Sequence, residues 1–174
     1  MLSRRGEPTP PIAFGPGPIR EHLGGPRIAV DGPLRARIAA TGADVIDEPA
    51  VLDEASRDWW PLAMIWALDA EVAARAAVVV RPHDTDQVCA VMRACHEARV
   101  PVTAAAGRSG VCGASVPVFG GVVLDLTGLA GIVSVDPVSL LVEVGPGTFG
   151  DVFEDELRSR YGLTCGHWPQ SIAL

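Results

Sequence analysis

The chain has 174 residues, 48% of them hydrophobic, enough to bury the core of one large domain or two small ones. Its 14 basic residues, all arginine, stand against 21 acidic ones, and the net charge of −7 with an isoelectric point near 5.0 argues against a nucleic-acid partner. Cys89, Cys95, Cys112 and Cys165 form no C-x-x-C pair, and Cys95-His96 and Cys165-Gly166-His167 lack zinc-site spacing, so no metal is expected and the thiols fit a reducing cytoplasm.

Met1-Leu2-Ser3-Arg4-Arg5 leads into proline and glycine rather than an apolar run, so no signal peptide is read there. Residues 1–54 form a Pro/Gly-rich arm, punctuated by Pro8, Pro10, Pro11, Pro16, Pro18, Pro26 and Pro33. It is expected to be irregular, lying over something else or partly disordered, with a mildly helical stretch from Leu34 to Ala40. Residues 55–77 read as one helix carrying Trp59, Trp60, Leu62, Ile65, Trp66 and Leu68, with Asp58 capping or preceding it. The tryptophans form either a binding surface or a packed face. Asp69, Glu71 and Arg75 interrupt the most apolar window, residues 61–80, and argue against a transmembrane segment.

From Ala77 the pattern becomes regular. Val78-Val79-Val80 is a strand, Asp84 or Thr85 caps a helix, and Val88, Val91, Met92 and Cys95 lie on one face of that helix to near Ala98. Val100 to Thr103 is the next strand, completing a strand–helix–strand unit with a right-handed crossover expected. From its end runs Ala104-Ala105-Ala106-Gly107-Arg108-Ser109-Gly110-Val111-Cys112-Gly113-Ala114, a stretch of nearly all small residues where open α/β sheets bind ligands. Small residues and glycines let a backbone turn sharply and aim several N–H groups at one anion. The chain has no lysine, which excludes a Walker A loop, and the glycine spacing with Pro117 following does not fit a Rossmann turn opening a helix. On the residues alone the stretch is either an ordinary tight turn or a diphosphate cradle.

Gly121 to Leu126 reads as a strand, and Ile132–Val135 with Leu140–Val144 as an antiparallel pair about Asp136-Pro137. Thr148 is expected to cap a helix with Phe149, Val152, Phe153 and Leu157 on one face and Arg158 and Arg160 in its last turn. Residues 161–166 return to extended chain. The apolar stop at Ser171-Ile172-Ala173-Leu174 reads as an end in mid-segment, with more expected downstream.

Five motifs in order give a resemblance. Arg81-Pro82 with Asp84, Thr85, Gln87 and Val88 resembles the RP-x-x-T-x-x-V opening of FAD-binding domains of the vanillyl-alcohol oxidase type, the PCMH-type FAD-linked oxidases. The helix running into Val100-Pro101-Val102, the small-residue loop at 104–114, Leu124-Asp125-Leu126 through Gly131-Ile132, and Val142-Glu143-Val144-Gly145-Pro146-Gly147 match later motifs of that family. Gly166-His167-Trp168-Pro169-Gln170-Ser171 is most similar to a segment of alkylglycerone-phosphate synthases and their bacterial FAD-linked oxidase relatives. The resemblance implies an α+β fold: a PCMH-type FAD-binding domain, with its first βαβ subdomain and part of the second, mixed-sheet subdomain, in residues 55–174. It also implies that Ala104, Ala105, Ala106, Gly107, Arg108, Ser109, Gly110, Val111 and Gly113 hold the FAD diphosphate and that Gln170 and Ser171 begin a second FAD-contacting segment.

Two departures stand out. Ala106 and Arg108 occupy positions where relatives often have glycine, so Ala106 needs a negative φ, and Arg108 either bonds the diphosphate or points to solvent. The loop has no histidine, so FAD is expected to be non-covalent. His167 is either a polar contact or a structural residue. The function implied is the FAD-binding portion of an oxidoreductase acting on a hydroxylated, 2-hydroxy-acid-type small molecule; the alternatives are a transferase of ether-lipid synthesis or a module binding a partner without flavin. Catalytic residues are expected beyond Leu174, so none is named. A homo-oligomer is allowed for without being fixed.

Overall fold

A computed structural model describes residues 12–166, so His167, Gln170 and Ser171 lie outside the described residues. In chain order the elements are β1 (Arg20–Glu21), α1 (Gly32–Ala39), β2 (Asp44–Ile46), α2 (Pro49–Ala55), α3 (Pro61–Leu68), β3 (Glu71–Val72), β4 (Val78–Arg81), α4 (Thr85–Ala98), β5 (Val102–Ala105) and β6 (Val122–Asp125). A 3-10 turn at Leu126–Gly128 follows, then β7 (Ile132–Asp136), β8 (Leu141–Val144) and α5 (Gly150–Glu156), which continues as a π-helical turn over Leu157–Tyr161.

The organising layer is a four-stranded sheet in the order β2-β4-β6-β5, in which β4, β6 and β5 are parallel and β2 is an antiparallel edge. Strands covered on both faces read as unbroken apolar runs, which is why Val78-Val79-Val80 and Val122-Val123-Leu124 carry no polar alternation. Alternate side chains enter opposite cores. Val78, Val80, Val122 and Leu124 meet Leu34 and Ile38 of α1 and Val91, Ala94 and Cys95 of α4; Val79 and Val123 meet Ala55 of α2, Ala76 and Ala105.

α4 follows its sequence pattern. Asp84 Oδ1 accepts the Gln87 N–H at 2.7 Å as the N-cap, Val91 and Cys95 are buried, and the helix ends in a left-handed Arg99 with φ 55°. β4, α4 and β5 form the expected strand–helix–strand run, but β6 lies between the two strands. The arm contributes more order than its composition suggests: Asp31 caps α1 through the Leu34 N–H at 2.8 Å, Pro33 sits in the first turn, and Val30, Leu34, Ile38 and Ala43 enter the core.

The single helix expected over residues 55–77 is the last residue of α2, a turn, the short helix α3 and the strand β3. Pro61 cannot continue a helix from α2, Asp58 Oδ1 instead accepts the Trp60 N–H at 3.0 Å to make a turn, and α3 stops before Ala70, whose φ is 56°. β7 and β8 form the expected antiparallel pair. Thr148 does not cap α5, whose N-cap is Phe149; its hydroxyl takes the Gly131 N–H at 2.8 Å and donates to the Gly145 carbonyl at 2.7 Å, tying the base of that hairpin to the helix.

α5 holds the segment that follows it through one buried carboxylate. Glu154 accepts the Cys165 Sγ–H and N–H, each at 3.0 Å, the Thr164 hydroxyl at 2.5 Å and Arg158 Nε at 2.5 Å. The Cys165 thiol, then the Thr164 hydroxyl, bring its pKa down from 4.5 to about 2. A depressed carboxylate contributes stability that is fully present above its unfolded value and is lost as pH falls through the folded one. Protection of the Cys165 amide in hydrogen exchange, corrected for intrinsic rates, is therefore expected to hold above pH 4.5 and to fall towards pH 2. Glu154→Gln is expected to remove that acid dependence.

Candidate functional site

β4, β6 and β5 run parallel, so their C-terminal ends share one edge of the sheet and bring Arg81, Asp125 and Ala105 together. The loop leaving β5 lies on that edge. Ala104 and Ala105 are its last strand residues; Ala106 to Ser109 are half-buried, Gly110, Val111 and Cys112 are exposed, and Gly113 is half-buried. Among the described residues, the N–H groups of 107–112 donate to no carbonyl or side chain. Solvated loops tolerate such donors, but a run of them over small residues is a ready anion cradle.

The positive φ values in this loop fall on Arg108 (53°) and Gly113 (77°), while Ala106, Gly107 and Gly110 avoid that region. Arg108 thus takes a backbone conformation that favours glycine. Among the described residues its guanidinium makes no hydrogen bond or ion pair. Burial pushes its pKa below the ordinary arginine value; Asp125 and Glu54 counter that, while Arg57 and Arg81 add to it. A half-buried cation with no hydrogen-bond partner is stabilised by an anion placed beside it.

Two further groups shape the edge. Arg81 bonds Asp125 Oδ2 through Nε at 2.9 Å and Nη2 at 2.8 Å, while Asp125 Oδ1 accepts the Thr127 N–H at 3.0 Å and hydroxyl at 2.6 Å. The turn between α2 and α3 lies against the loop: the Trp59 N–H donates to the Gly110 carbonyl at 3.0 Å, and a Cβ on Gly113 would come within 3.0 Å of the Trp60 ring. Arg57 and Asp58 are each only 2% exposed. Among the described residues, buried side-chain atoms without a hydrogen bond include Arg27 Nε, Asp53 Oδ1 and Arg75 Nε, all of which sit in ion pairs; Arg57 Nη1 and Asp58 Oδ2 do not. Arg57, Asp58, Arg81 and Asp125 were not singled out as site residues from the sequence. The signal for Arg81 and Asp125 was charge at the ends of apolar strands; for Arg57 and Asp58 it was a charged pair just ahead of the apolar run 59–68.

The sequence profile of a family described as FAD binding domain matches residues 76–173, more than half of the chain. The chain belongs to that family. Within this FAD binding domain the loop fits the cofactor: backbone donors without partners and an unpaired arginine suit a diphosphate, and the small side chains leave the backbone accessible.

The chain is 34% identical over 83 residues to the D-lactate dehydrogenase of Anaerostipes hadrus, covering 47% of this chain and 18% of that protein. It is 34% identical over 73 residues to the glycolate oxidase subunit GlcD of Escherichia coli strain K12, covering 42% of this chain and 15% of that one. Among solved structures, an alkyldihydroxyacetonephosphate synthase superposes with a TM-score of 0.76 at 20% identity, covering 96% of this chain and 32% of that one. A p-cresol methylhydroxylase with substrate bound gives a TM-score of 0.60 at 23% identity, covering 72% of this chain and 24% of that one. The fold is the α+β fold of PCMH-type FAD-binding domains. The chain thus spans less than a fifth of the length of these curated relatives. Among the described residues, no helix is long and apolar enough to cross a membrane.

Proposed function

We propose that this domain holds the diphosphate of FAD on residues 104–113, without a covalent link, as the cofactor-binding part of an oxidoreductase that acts on a small 2-hydroxy-acid-type substrate. The observation carrying the cofactor placement is the unpartnered row of N–H groups at 107–112 beside the unpaired Arg108. Gly107, Ser109 and Gly110 bring backbone donors to the phosphate oxygens, and Arg108 adds a charge-assisted bond. Val111 and Gly113 complete the curve of the loop, and Gln170 and Ser171 add a second contact. When bound, the flavin accepts a hydride equivalent from the substrate carbon bearing the hydroxyl. The names of the relatives, D-lactate dehydrogenase and glycolate oxidase subunit GlcD among them, support the substrate class. The absence of histidine from 104–114 supports non-covalent binding, and cysteines outside disulfides support a cytoplasmic setting.

Fluorescence titration tests the placement. FAD added to the 174-residue chain is expected to be quenched and to raise the melting temperature, and acid precipitation is expected to release it intact. Arg108→Gln is expected to weaken FAD binding about 10- to 100-fold, the size of one hydrogen bond to a charged group. Equal affinities in the two chains would remove Arg108 from the site.

The superposition on an alkyldihydroxyacetonephosphate synthase over nearly the whole chain favours one second reading, a transferase acting on a phosphorylated ketone. Dye reduction by 2-hydroxy acids in the protein that contains this domain supports the first reading; exchange of an acyl for an alkyl group without net dye reduction supports the second.

A further inference from the structure

We infer that Asp58, outside the family-matched residues, is the positioning residue of the diphosphate loop. Its carboxylate works on both sides of one turn. Oδ1 accepts the Trp60 N–H at 3.0 Å, closing a turn that points the Trp59 N–H at the Gly110 carbonyl, 3.0 Å away. With its carbonyl anchored towards the turn, Gly110 is fixed at the centre of the run whose N–H groups have no partner in the chain. The ring of Trp60, the next residue, lies under Gly113, so the loop is gripped at two points by two consecutive residues.

The second oxygen identifies this as more than a turn. Asp58 Oδ2 is buried, has no hydrogen-bond partner among the described residues, and lies 3.8 Å from where a Cβ on Gly110 would stand. A buried acceptor left without a donor costs stability. The anchored Gly110 carbonyl holds the loop in one conformer before any ligand arrives. Preorganisation of this kind contributes to affinity by removing the cost of ordering the loop when the anion arrives. Arg57, whose Nε and Nη2 bond Glu54 and whose Cζ lies 4.0 Å from the Phe14 ring centroid, holds the turn in place from its other side.

The ligand arm of the test rests on the cofactor reading; the backbone arm does not. Nitrogen-15 relaxation of the chain without ligand reads the order of the 107–113 amides directly. The wild type is expected to show order parameters of about 0.85 there, and Asp58→Ala values below about 0.6, with the sheet unchanged. Asp58→Ala is also expected to lower affinity for FAD and for inorganic pyrophosphate by the same factor, about tenfold, while the melting temperature of the free chain stays level or rises. Asp58→Asn keeps the Oδ1 acceptor and is expected to restore loop order. If Asp58→Ala does not fold, Asp58→Leu, which fills the same buried space without an acceptor, carries the test, and loop order is expected to drop in the same residues. Unchanged order and affinity in Asp58→Ala, or a loss that Asp58→Asn does not repair, overturns the inference. Loss of order in Asp58→Ala, in a chain that binds no FAD even as wild type, sustains the positioning role and overturns the cofactor reading instead.

Discussion

Gly121→Ala is expected to destabilise the domain by about 3–5 kcal/mol, the combined size of backbone strain and overpacking at one site. Gly121 has φ +71°, and a Cβ there would stand 2.3 Å from the Pro101 carbonyl oxygen and 2.7 Å from the Pro101 ring. That oxygen cannot retreat freely, because it accepts the Val122 N–H at 3.0 Å where β5 and β6 come together. The glycine cannot retreat either: its N–H donates to Ile28 at 2.8 Å and its carbonyl accepts from Ala77 at 2.9 Å, tying the start of β6 to the arm and to the approach to β4. Relief of the clash therefore breaks pairing on both sides of the central strand. Because β6 and β5 place Asp125 and the loop, cofactor binding is expected to fail with the fold. Urea unfolding measures the effect, with Gly24→Ala as the control: a Cβ at Gly24 meets nothing within 4 Å, and that variant is expected to stay within about 0.5 kcal/mol of wild type.

The sheet shows which of these features a sequence can carry. Unbroken valine runs at 78–80 and 122–124 state that both faces are covered, and the spacing of Val88, Val91 and Cys95 states which side of α4 is inside. Neither states which strand lies beside which. Burial on two faces is the same for any central strand, so the placement of β6 between β4 and β5 was not in the pattern. Residues 55–77 misled for a related reason: the stretch 59–68 is apolar on every side and has no period to interrupt, and Pro61 and Asp58 mark the break. The small-residue loop was legible as a cradle from its composition and position, and as one for FAD only from its resemblance to a family. The grip of Asp58, Trp59 and Trp60 on Gly110 and Gly113 was not legible, because it comes from a tertiary approach between segments far apart in the chain. The sequence shows the charged pair; the fold alone supplies its partner.

Asp125→Ala is expected to cost about 2–3 kcal/mol, below the usual 3–5 for a broken buried pair, because Arg81 keeps some contact with water. Asp125 is 5% exposed and spends both oxygens, Oδ2 on two nitrogens of Arg81 and Oδ1 on the Thr127 N–H and hydroxyl. Its removal leaves the turn after β6 without its cap and Arg81 without its carboxylate. It also removes the largest of the charges that offset the burial of Arg108. The free domain then holds Arg81 without its carboxylate and Arg108 offset by Glu54 alone, and self-repulsion adds to the lost bonds. The same arithmetic changes sign when a diphosphate is present: the anion faces more positive charge and one fewer carboxylate. Asp125→Ala is therefore expected to lower the urea midpoint of the free chain while the stabilisation gained on adding pyrophosphate grows relative to wild type. Asp125→Asn, which keeps the Thr127 acceptor, is expected to lose less stability. A variant that loses stability and pyrophosphate response together would mean that Asp125 acts through the shape of the loop and not through its charge.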